Sequence, residues 1–133
     1  MDSELYKIQR EAILEVLDEI ESRMNLDFSE GIEDLIHHLA IFSARLFLYF
    51  NTEEKIIYPK IKNSEKNRNH SIADDYRQKL LSWRIFFKVY HFRWALPSSI
   101  LKDHEGFRED TRNLIQKLRQ HILKEENEFY ILL

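Results

Sequence analysis

The chain of 133 residues has no cysteine. Disulfides, thiolate metal ligands and redox thiols are therefore excluded. This fits a reducing compartment, and a cytoplasmic location is expected. Glycine and proline occur only twice each, so turns should be few and helices long. No apolar run reaches the roughly 18 residues that a membrane span needs. The greasiest stretch, Leu39 to Phe50, is interrupted by Ser43 and Arg45. The opening "MDSELYKIQRE" has no basic region followed by an apolar run, so no signal peptide is expected. Charge of one sign is also lacking: the net value is −3, with both signs mixed throughout. Such a balance gives no global attraction to nucleic acid. The one locally basic stretch, "KIKNSEKNRNH", is short, has no aromatics and reads as a loop. Neither a nucleic-acid nor a membrane partner is expected. No nucleophile–base triad, Gly-rich phosphate loop or zinc-finger spacing is present, which points away from an enzyme.

What the chain does have is apolar residues at helical spacing. Leu5, Ile8, Ala12, Val16 and Ile20 mark a first helix over about Ser3 to Met24. "NLDFSEG" breaks it, with Ser29 as a candidate cap. A second helix runs from about Ile32 to Tyr58 on Leu35, Leu39, Phe42, Leu46, Tyr49, Glu53 and Ile56. Pro59 should end it or kink its last turn. After "KNSEKNRNH", a third helix spans about Ser71, a plausible cap, to Leu96. Its stripe is Ile72, Tyr76, Leu80, Trp83, Phe87, Tyr90 and Trp94. "PSS" is the third break, and a fourth helix covers about Leu101 to Ile131. Phe107, Thr111, Leu114, Leu118, His121, Glu125 and Phe129 line it. The expected fold is all-α: one domain over residues 1–133, an up-down-up-down antiparallel four-helix bundle. Breaks are expected near 25–31, 60–70 and 97–100.

Three polar residues interrupt these stripes. Glu53, His121 and Glu125 occupy positions that are otherwise apolar or aromatic. A charge in a core is costly unless it is paired, hydrogen-bonded or bound to metal. His121 and Glu125 are four apart and so stack on one helix face. Helix rise in an antiparallel bundle brings Glu53 and Asp75 to the level of His121, with Glu11 near Tyr49. Glu11, Glu53, Asp75, His121 and Glu125 are therefore candidate metal ligands. The alternative is a satisfied His–Glu pair with no ion. Adjacent His37 and His38 point in different directions. His91 and His104 flank the third turn, and His70 lies in a loop.

Two segments repeat in part: "YFNTEEKIIYPKI" from Tyr49 and "HILKEENEFYILL" from His121. Their Glu-Glu and Tyr residues align, but one begins with Tyr and the other with His. "EEKIIYP" and "HILKEENEFY" resemble motifs of the hemerythrin family, especially its HHE-type bundles. The resemblance implies a non-haem diiron site held by histidines and carboxylates from four helices. It places His121 and Glu125 on fourth-helix ligands and Glu53 on the bridging carboxylate. Tyr49 stands where the second helix should have histidine. Ala12 or Glu11, and Asp75 or Tyr76, stand at the histidine positions of the first and third helices. With three imidazoles replaced, oxygen carriage is not expected.

Two functions follow. The first is a non-enzymatic bundle with a lost or altered diiron site, acting in protein interaction or regulation. The second is a metalloprotein for sensing or storage, holding a single Fe, Mn or Zn ion through carboxylates. The cofactor expectation is accordingly none, or one such ion. The expected partner is an unidentified protein or a second copy in a homodimer. Phe47, Phe50 and Phe92 lie off the main stripes and would form its docking surface if exposed.

Overall fold

A computed structural model of the chain describes residues 2–25, 27–64 and 71–129. Helices dominate, and the described residues contain no strand. In order they are α1 (Asp2–Met24), α2 (Phe28–Thr52), a π-helical turn (Glu53–Ile57), α3 (Tyr58–Ser64), α4 (Ser71–Trp94), α5 (Pro97–Lys102) and α6 (His104–Phe129). The expected capping side chain of Ser71, the loop residue His70, and a helix end at Ile131 lie outside the described residues.

The four long helices form a ring. α1 is tied to α6 by Arg119, which pairs with Asp18 and Glu21. α2 meets α4 where Phe42 and Phe87 pack edge to face, with ring centroids 5.4 Å apart. α4 meets α6 through Tyr90 and Thr111, whose hydroxyls are 2.8 Å apart. The start of α1 reaches the end of α6, while Met24 at its other end accepts a hydrogen bond from Arg108 near the start of α6. Neighbouring helices therefore run antiparallel, as expected of an up-down-up-down bundle.

Three local expectations need correction. α2 begins at Phe28, four residues early, because Asp27 rather than Ser29 caps it. The Asp27 carboxylate accepts from the Ser29 backbone N–H at 3.0 Å and from its hydroxyl at 2.8 Å. Pro59 does not end the second helical pattern, which continues to Ser64. The Tyr58 N–H bonds back five residues, to the Glu53 carbonyl. This wide turn starts a new ladder, leaving Pro59 in a first turn, where no N–H is required. The "PSS" break is itself a short helix with Pro97 in its first turn, and Asp103 separates it from α6.

The stripe of α1 was also misplaced at its start. Leu5 and Ile8 are exposed, whereas Tyr6, Ile13, Leu17, Ile20 and Met24 are buried. With Arg10, also buried, they form an alternating four–three spacing that satisfies helical periodicity better. The π-turn moves the end of the second stripe by one residue. Ile57 is buried in place of Ile56, followed by Tyr58 and Ile61. Phe50, expected to point away from the core, is buried, while Phe47 and Phe92 are exposed.

Candidate functional site

The polar cluster lies at the bundle end where α1 begins and α6 finishes. α2 and the π-turn supply Tyr49 and Glu53, α3 supplies Tyr58, α1 supplies Tyr6, and α6 supplies His121 and Glu125. Glu53, Glu125, Tyr6, Tyr49 and Tyr58 are all fully buried. Tyr6 and Tyr49 stack, with centroids 5.1 Å apart and planes 13° from parallel. Arg10 lies 4.8 Å over the Tyr6 ring, a cation–π arrangement.

Three phenols converge on two carboxyls. Tyr6 donates to Glu53 Oε2 at 2.7 Å, with Glu125 Oε2 3.3 Å away. Tyr49 donates to Glu125 Oε1 at 3.0 Å and lies 3.2 Å from the Tyr6 hydroxyl. Tyr58 reaches Glu125 Oε2 at 3.2 Å. Burial raises all three phenol pKa values, and the adjacent Glu53 and Glu125 raise them further. They are therefore protonated donors, not phenolate ligands.

Burial also pushes the Glu53 carboxyl well above the usual range, and so does Glu125 beside it. Glu53 Oε1 receives no donor. Burial beside a second carboxyl thus favours the protonated form of Glu53. A second carboxyl close by in a dry site makes ionisation of Glu53 costly.

His121 is mostly buried between aromatic rings, 5.8 Å from Tyr76 and 5.5 Å from Trp83 by centroids. Burial lowers its pKa; Glu125 opposes this, while Lys79 and Lys124 reinforce it. Its Nε2 is 3.3 Å from Glu125 Oε1. This contact is not a hydrogen bond, and Nε2 has no hydrogen-bond partner among the described residues. Imidazole and carboxylate are thus adjacent without a well-formed bond.

The structure brings together Glu53, His121, Glu125 and Tyr49. It does not bring Glu11 or Asp75 to them. Glu11 is exposed and stands 4.0 Å from Lys7; Asp75 is exposed beside buried Tyr76. Tyr6 and Tyr58 were missed. Tyr6 was hidden by the choice of Leu5 for the α1 stripe, although its four–three relation to Arg10 and Ile13 was available. Tyr58 was hidden by the π-turn, which no periodic pattern announces. Tyr76 does approach the site, through its ring contact with His121.

The family model described as "Hemerythrin HHE cation binding domain" matches residues 3–133. Neither the curated proteins nor the solved structures searched gave a match. The residues present fit a cation centre poorly. Phenolic hydroxyls occupy carboxylate oxygens, burial and Glu125 disfavour the ionised form of Glu53, and His121 is the one imidazole among the described residues of the cluster. Among the described residues, no three His, Asp or Glu side chains could hold a metal ion together.

Proposed function

Because the chain belongs to the hemerythrin HHE cation-binding domain family, we propose that it is a member whose metal centre has become a tyrosine–carboxylate network and whose bundle serves protein interaction or regulation. The convergence of Tyr6, Tyr49 and Tyr58 on Glu53 and Glu125 carries this reading. These hydroxyls supply the donors that buried carboxylates require. They do so without the imidazoles needed for a diiron site. This reading takes the role to be non-enzymatic. Large apolar side chains on the outside, including Phe47 and Phe92, support a role in which the surface acts.

Anaerobic loading with ferrous iron, then air, followed by desalting and elemental analysis, tests the proposal. No stoichiometric ion and no oxo-bridged diiron absorption bands are expected. Two tightly held irons with those bands would overturn it. One near-stoichiometric ion that is lost in Glu53→Gln and His121→Ala would favour the single-ion metalloprotein instead.

A further inference from the structure

α4 is apolar on two opposite sides. Its inward face carries Tyr76, Leu80, Tyr90 and Trp94, all buried. Its outward face carries Leu81, Ile85, Val89 and Phe92, which are 55%, 67%, 63% and 88% exposed. At 3.6 residues per turn these four occupy an arc of about 80° and run about 17 Å along the axis. Leu96, just beyond the helix, extends the row and is also exposed. Among the described residues, none covers them.

A shallow groove lies on each side of this ridge. Phe47 and Phe50 of α2 line one with Arg84, Lys88 and His91 of α4. Trp83 and Phe86 line the other with Lys79 and Lys117. From Tyr76 to Leu96 the chain has five Lys or Arg residues and no Asp or Glu, against a net charge of −3 overall. Arg84 and Arg93 are paired with Glu54 and Asp110, each at 3.0 Å. Arg77 and Lys88 form no ion pair among the described residues.

We propose that the outward face of α4, with Phe47 across the α2–α4 groove, docks an acidic amphipathic helix of a partner protein. This deepens the interaction reading above and rests on it. The spacing of Leu81, Ile85, Val89 and Phe92 forms a seam one helix can pack along. Its narrow arc, hemmed by Lys88 and Arg93, suits a helix better than the broad apolar face that enters a lipid surface. The cations on both flanks select carboxylates beside the partner's apolar stripe. A second copy pairing through the same face would instead bring two cation-rich, anion-free segments together.

The test uses the full chain and three synthetic helical peptides with the same leucine heptads and Glu, Gln or Lys at the flanking positions. Binding is read by fluorescence anisotropy at low and high salt. The Glu peptide should bind, and weaken as salt rises. The Lys peptide should bind at least about tenfold more weakly. Ile85→Ser and Phe92→Ser should each lower affinity about tenfold, the scale of a truncated hot-spot side chain. Leu123→Ser, at another exposed apolar position, should leave it unchanged. Circular dichroism checks that all three variants keep the bundle. Equal binding of the Glu and Lys peptides, or none by any of them, overturns the proposal. So does binding of vesicles containing phosphatidylserine without binding of the Glu peptide, or a dimer by sedimentation that the α4 variants dissociate. These failures leave the metal-loading result untouched, so the docking surface can fail while the network reading stands.

Discussion

At the scale of single residues, Glu53 controls a predictable response to pH. Its folded-state pKa lies well above the usual 4.5. Above 4.5 the unfolded chain releases this proton while the folded chain keeps it. The folded state then binds more protons, so stability falls as pH rises through that window, by about 1.4 kcal/mol per unit. His121 acts oppositely. Its folded pKa is below 6.5, so its contribution grows with pH up to about that value and is lost on acidification. Glu53→Gln keeps an acceptor for Tyr6 and offers Glu125 a donor that cannot ionise. It should stabilise the protein more at pH 7 than at pH 4 and flatten the downward slope. Urea melts of both proteins from pH 4 to 8 check this; parallel curves would count against a raised Glu53 pKa. Tyr58→Phe should cost about 1.5–3 kcal/mol at neutral pH, because Glu125 loses a donor in a site water does not reach. The same melts measure it.

At the scale of elements, the start of α6 depends on one glycine. Asp103 Oδ1 accepts from the Gly106 N–H at 2.9 Å, capping the helix. A Cβ at position 106 would lie 2.2 Å from Asp103 Oδ2 and 2.7 Å from its Cγ. Gly106→Ala should therefore force the carboxylate aside and cost about 1 kcal/mol, the worth of an N-cap. With Asp103→Ala already present, the same change should be neutral or stabilising by up to about 1 kcal/mol, since alanine suits a helix better than glycine. A double-mutant cycle by thermal melting distinguishes a coupled cap from two independent effects. The π-turn is the other element with a specific role. It lets the helix pass Pro59, and it puts Glu53, Ile57, Tyr58 and Ile61 inside together.

At the scale of the whole molecule, the interior is held mainly by apolar packing around the buried tyrosine–carboxylate cluster. A chelator should leave the melting temperature unchanged, and added zinc or ferrous iron should not raise it. An ion bound only by the folded state would add about 2.7 kcal/mol at a hundredfold excess over its dissociation constant. Differential scanning calorimetry with and without chelator reads this directly. A melting temperature that falls on chelation would show that an ion belongs to the folded state. Among the described residues no helix is long and apolar enough to cross a membrane.

Periodicity alone determined the four long helices and most of the inward stripes of α4 and α6. Burying one apolar face is what makes such helices pack, so the pattern and the packing share a cause. It also exposed the anomaly of Glu53, His121 and Glu125, because charges seldom stand in a core row without partners. The identity of those partners depended on tertiary structure. The depth at which α1 sits against its neighbours brought Tyr6, not Glu11, to the carboxylates. A backbone hydrogen bond five residues long rotated Tyr58 into the same space. Which outward residues stay uncovered was equally a matter of packing. Phe50 turned inward between helices, while Phe92 and the row on α4 were left outside, since a ring of four helices encloses only one side of each.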